Sequence, residues 1–231
     1  MRFWEIDALR GIAVVMMIIF HFLFDLNLFA NYTFNISSGF WFFFARITAS
    51  IFILLVGVSL TISYSRNNSF IKHFKRGLKI FSLGLVITAV TFFYFRSGFI
   101  VFGILHFIGI SIILGYFLLR YDKINIFIGA LLIALGIILQ GFVFDFPWLL
   151  WLGLFPSGFY TFDYFPLLPW FGLLVIGMFF GKMLYRNGKR IFRIKENSTF
   201  IARLLCFLGR HSLLIYLLHQ PILVLFIHIL I

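Results

Sequence analysis

The sequence predicts an all-α polytopic membrane protein, a bundle of about seven transmembrane helices with the N-terminus cytoplasmic and the C-terminus outside. Three observations predict it. Of 231 residues, 63% are hydrophobic and 36 are Phe, while only 11% are charged, a balance far outside the globular range. Apolar windows of about twenty residues, the length that crosses a bilayer, recur along the chain. Basic residues gather in alternate connections, as the positive-inside rule requires.

The windows run from Ala8 to Phe29, Phe40 to Tyr64, Gly77 to Phe95, Gly98 to Leu119, Ile124 to Val143, Leu167 to Tyr185 and Leu204 to Ile231. The first is too long for a signal peptide and has no small-residue cleavage site behind it. It is expected to stay as an anchor, with the mature chain starting near Met1. Arg96 and Ser97 are the only polar break between the third and fourth windows. A fused span of over about forty residues exceeds any bilayer, so a tight hairpin is expected there. Gly177 with Gly181, and Ser111 with Gly115, have the four-residue spacing that lets membrane helices approach closely. No repeat, low-complexity tract or linker divides the chain, which reads as one transmembrane domain over residues 1–231.

The net charge of +12 suggests nucleic acid in a soluble protein, but its distribution argues for a bilayer. Of the 19 Lys and Arg, all but Arg46 and Arg96 fall on the side taken as cytoplasmic. The basic stretch Arg186 to Lys195 reads as an inner loop near anionic lipid. The longest outer connection, Phe144 to Pro166, has no Lys or Arg and is rich in aromatics and Pro. It reads as an aromatic belt at headgroup level, and a lid over an outward-facing site is the second reading. The single cysteine, Cys206, offers neither a disulfide nor a metal cluster.

Ionisable groups inside apolar spans are the clue to function, because a charge at the hydrocarbon centre costs roughly 2.5 to 3.5 kcal/mol. In the first span, Arg10 to His21 is a helical rotation of about 20° and His21 to Asp25 about 40°, so the three share one face. Counting down each span from its outer end puts His21 and His106 at a similar depth, where the rings could meet, and His219 near the midplane. A histidine titrates near neutrality and can act as general base, and a nearby carboxylate fixes its tautomer and raises its basicity. The alternative is interhelical bonding for packing alone. His73 and His228 read as solvated or interfacial. No ligand spacing supports a metal. Arg10, Arg210 and His211 fall near the inner surface, where they could bind a phosphorylated cytosolic ligand.

The run from Glu5 to His21, EIDALRGIAVVMMIIFH, is similar to the first membrane helix of the heparan-α-glucosaminide N-acetyltransferase catalytic-domain family, with Asp7, Arg10 and Gly11 matching its signature. Further similarity lies at Ile51 to Ser59, Phe102 to Gly109, Pro166 to Gly172 and Leu208 to His219. The chain resembles the small prokaryotic members. The resemblance implies a transmembrane enzyme that takes acetyl from cytosolic acetyl-CoA and delivers it to a sugar amine on the far side. The animal enzymes carry Asn at the position of His21, Gln at that of His106, and their catalytic histidine where ungapped counting reaches Tyr32.

The expected site draws on both readings. His21 serves as general base, Asp25 as its orienting carboxylate, and His106 stabilises developing charge or assists proton transfer. Arg10, Arg210 and His211 hold the acyl-CoA, while Arg46 and His219 hold an amino-sugar or other glycan acceptor. The partners are the lipid bilayer, acyl-CoA and that acceptor, with no nucleic acid; a homo-oligomer is open. The expected location is an integral, multi-pass position in a prokaryotic plasma membrane. The rivals are a proton-coupled transporter, using the same groups as a relay, and a non-catalytic membrane scaffold.

Overall fold

The structure, a computed structural model, describes residues 2–194 and 199–230. Lys195, counted above among the basic inner residues, lies outside the described residues. Among the described residues eight α-helices follow one another: α1 (Trp4–Phe29), α2 (Gly39–Arg66), α3 (Phe70–Tyr94), α4 (Ile104–Leu118), α5 (Ile124–Leu139), α6 (Leu167–Leu184), α7 (Phe200–Arg210) and α8 (Ser212–Leu230). A 3-10 turn spans Arg186–Gly188. Among the described residues, α1, α2, α3, α6 and the Ser212–Ile229 stretch of α8 are long and apolar enough to cross a membrane. The chain is an all-helical integral membrane protein. It forms two compact units, one of Met1–Phe52 with Ile194–Ile231 and the other of Ile53–Arg193.

Three spans differ most from their expected bounds. The third begins earlier, at Phe70, so Lys72, Lys75 and Arg76 are helical; Lys and Arg are good helix formers that a hydropathy window discards. His73, expected to be solvated or interfacial, is instead buried at 1% exposure. Its ring lies 5.5 Å from that of Tyr116 and 6.3 Å from that of Tyr64. The seventh is two helices, broken at His211, whose φ of -101° and ψ of 13° leave the helical region.

The fourth span starts late. Gly98 to Gly103 lie outside any helix and pair with the long connection before α6. Gly98 O accepts from the Phe162 N–H at 2.9 Å and Phe102 O from the Phe165 N–H at 3.0 Å, and the Thr161 hydroxyl donates to Phe99 O at 2.7 Å. Tyr164 donates to Leu150 O at 2.7 Å, and burial pushes its phenol up to about 12, so this donor keeps its proton at working pH. The long connection is therefore a built cap over this end of the unit, with Trp148 still 78% exposed.

This arrangement supplies α4 with its cap. Gly103 has no side chain to satisfy the first orphan N–H groups of the helix, and Asp163 does so from the connection, its Oδ2 accepting from the Ile104 N–H at 3.0 Å. Asp163→Ala is expected to lower stability by about 1 kcal/mol, read as a fall in thermal midpoint in detergent; an unchanged midpoint would contradict this role for Asp163.

Below the cap, Ile53, Leu60, Phe107, Ile112, Leu174, Val175 and Met178 form the centre of this unit. Lipid tails are as apolar as these side chains, so close packing holds the helices together rather than exclusion from water. The small residues enable it. A Cβ on Gly177 would overlap the Leu54 backbone, and Gly181 abuts Thr61, as the four-residue spacing implies. At the basic end Lys182 pairs with Asp122 and donates to Tyr121 O at 2.9 Å, tying the α6 terminus to the α4–α5 turn.

In the other unit α7 packs antiparallel on the start of α1. A Cβ on Gly11 would overlap the Leu205 carbonyl, and one on Gly209 would overlap the Asp7 carbonyl. After the break at His211, α8 runs parallel to α1. His219 meets His21, Phe226 lies 6.5 Å from Phe22, and His228 lies 5.3 Å from Phe29, ring centre to ring centre.

Candidate active site

The face of α1 that carries His21 and Asp25 meets α8 at His219 and Gln220. The two imidazoles stand edge to face, their centres 4.8 Å apart. His21 Nδ1 lies 2.9 Å from Met17 O and His219 Nδ1 lies 2.7 Å from Tyr216 O. A carbonyl only accepts, so in both rings Nδ1 carries the proton and Nε2 keeps its lone pair. Helix geometry thus assigns the tautomer of each ring, and it is the form a general base needs.

Asp25, one turn beyond His21, is fully buried at 0% exposure. Its Oδ1 accepts from the Gln220 side-chain amide at 2.6 Å. Three atoms of the cluster are buried with no hydrogen-bond partner: Asp25 Oδ2, His219 Nε2 and Gln220 Oε1. Gln220 is absent from the site expected on sequence. The available signal was a polar amide beside His219 in an apolar span, followed by Pro221.

At the start of α1, Arg10 pairs with Asp7 at 3.4 Å. Arg2 and Arg210 also lie within Coulombic reach of the Asp7 carboxylate, since Gly209 brings the end of α7 against it. Arg210 is exposed, its Nε donating to Cys206 O at 3.1 Å. His211 is exposed too, with Nδ1 donating to Phe207 O at 2.8 Å. Arg10, Arg210 and His211 therefore gather at one end of this unit. Eleven residues of α1, about 16 Å of rise, separate Arg10 from His21.

Two expected residues have partners of their own. Arg46 on α2 is exposed and lies over the Phe42 ring at 4.3 Å. His106 belongs to the other unit and, because α4 starts at Ile104, occupies its first turn rather than the depth counted from Gly98. Its Nδ1 accepts from the Gly103 N–H at 3.2 Å, which puts the ring proton on Nε2, 3.4 Å from Thr88 Oγ1. Thr88 in turn donates to Ile100 O at 2.7 Å. Both ring nitrogens of His106 are committed to holding the start of α4. Tyr32, where counting placed the animal enzymes' histidine, is 56% exposed and stacks on Phe34. Among the described residues no group of three or more His, Cys, Asp or Glu is arranged to hold a metal ion.

Comparison with known proteins adds the family. The family model described as heparan-alpha-glucosaminide N-acetyltransferase, catalytic, matches residues 2–221, which takes in every helix through the Gln220 turn of α8. No curated protein and no solved structure matches the chain. The family is one of membrane transferases of the acetyltransferase type, and the helical, bilayer-length architecture agrees with that. With the match spanning nearly its whole length, the chain belongs to the heparan-alpha-glucosaminide N-acetyltransferase catalytic-domain family.

Proposed function

We propose that the protein transfers acetyl from cytosolic acetyl-CoA to an amine or hydroxyl of a glycan acceptor arriving from the opposite face of a prokaryotic plasma membrane. The observation that carries this reading is the pair His21 and His219, each with its Nδ1 proton committed to a helix carbonyl and its Nε2 lone pair left for chemistry.

In the step proposed, the acceptor amine attacks the thioester carbonyl carbon. A C–N bond forms, the C–S bond breaks, and the amine proton passes to His21 Nε2 while CoA leaves as thiolate. A hydroxyl acceptor reacts in the same way through oxygen. Asp25, one turn away, stabilises the imidazolium that results. Positioning adds to this, since holding amine and thioester in register removes the entropy of their encounter.

The donor is assigned to the basic end. Arg210 is exposed there, and the Arg fork suits phosphate oxygens. Arg10 and His211 lie beside it, with Arg10 steadied by Asp7. Arg46 would meet the acceptor at the far side and His219 would meet it within the bundle. His106 is a positioning residue here, keeping α4 anchored under its cap.

The test is incubation of the purified protein in proteoliposomes with labelled acetyl-CoA and a hexosamine. Labelled acetyl-hexosamine above an empty-vesicle control is expected. Proton-driven movement of hexosamine without acetylation would replace this reading with a transporter.

A further inference from the structure

Every buried side-chain atom left without a partner in the α1–α8 cluster is an acceptor. The nearby donors are engaged: His21 Nδ1 with Met17 O, His219 Nδ1 with Tyr216 O, and the Gln220 amide with Asp25 Oδ1. The unpartnered atoms are a carboxylate oxygen of Asp25, Nε2 of His219 and Oε1 of Gln220. A buried acceptor left without a donor costs about 1–3 kcal/mol.

Charge narrows the choice of occupant. Asp25 is wholly buried, and the ion pairs Arg10–Asp7 and Lys182–Asp122 do not include it. A buried carboxylate with no cationic partner needs either a proton or a cation. A bare alkali ion prefers an all-oxygen shell, whereas this set mixes oxygens with imidazole nitrogen. A primary ammonium presents three N–H donors around one positive charge. It matches three acceptors and one negative charge.

We infer that Asp25, His219 and Gln220 form a cradle for a protonated primary amine, in which Gln220 both fixes the Asp25 carboxylate and supplies an acceptor of its own. Gln220 is thereby a specificity-determining residue that neither the sequence motifs nor the family match singles out. The inference rests on the acetyltransferase reading only for the step after binding: the ammonium loads as a cation, releases one proton to the aqueous acceptor side and becomes the free amine that attacks, leaving Asp25 ionised.

Binding is measured without acetyl-CoA, on the full chain in detergent or nanodiscs, as the shift in thermal midpoint with methylammonium chloride. Tetramethylammonium and sodium chloride at equal concentration are the comparisons. Methylammonium should stabilise in a saturable way and the other two should not, because one lacks N–H donors and the other lacks any hydrogen. Gln220→Met, which keeps the side-chain length, should weaken methylammonium binding about tenfold or more, and Asp25→Asn should do the same. Equal shifts with sodium or tetramethylammonium, or no shift with any of the three, overturn the cradle, and the unmodified protein suffices to show either. Saturable methylammonium binding in a protein that never acetylates an amine would keep the cradle and remove the acetyltransferase reading.

Discussion

Replacing His21 by Ala is expected to lower the acetyl-transfer rate about 10²- to 10⁴-fold, the contribution of a positioned general base. The fold should survive the change. His21 is partly buried and its side-chain bond goes to Met17 O, a carbonyl that already accepts from the helix, so no orphaned group is left behind. His219→Ala removes a neighbour rather than the base and should cost less rate while raising KM for the acceptor. Initial rates per folded protein, with thermal midpoints measured on the same samples, separate chemistry from stability. A His21→Ala protein with full turnover would exclude this residue as the base.

The largest expected effect on stability lies at the α1–α7 contact. Gly11→Leu is expected to destabilise the protein by about 3 kcal/mol or more, beyond ordinary overpacking, because the new Cβ meets the Leu205 backbone and not a movable side chain. Gly209 faces the Asp7 backbone in the same way, so Gly209→Val should act similarly. Both changes also separate the Arg10 and Arg210 end of the unit, and acetyl-CoA affinity should fall with stability. Leu9→Met, on the exposed side of the same helix, should stay within about 0.5 kcal/mol. Thermal midpoints of the three variants in one detergent check the ranking; equal midpoints would mean that the helices do not touch here.

Much of this was legible in the sequence for physical reasons that can be named. Hydropathy and the spread of basic residues give a helical membrane chain because the bilayer fixes both span length and loop charge. The shared face of Arg10, His21 and Asp25 is a consequence of helical rotation alone, and in the structure His21 and Asp25 of that face meet α8. The family motifs likewise agree with the match over residues 2–221.

The parts that were not legible depend on where helices start and stop. Apolarity does not separate the non-helical Gly98 to Gly103 from a helix, so the sequence places His106 too deep; the pairing that holds this segment comes from residues about sixty positions later. The break at His211 is equally invisible to a hydropathy window, yet it sets the level at which His219 meets His21. Gln220 carries no charge to mark it within an apolar span, and the amide matters only through its bond to Asp25.

In the mechanism proposed, donor and acceptor reach the His21 cluster from opposite faces of the membrane. The sharpest test is a sealed, uniformly oriented proteoliposome with acetyl-CoA confined to the side of Arg10 and Arg210 and a membrane-impermeant hexosamine confined to the other. Acetyl-hexosamine should form on the acceptor side at a rate that depends on His21. Product formed only when both reactants share one side would rule out transfer across the bilayer.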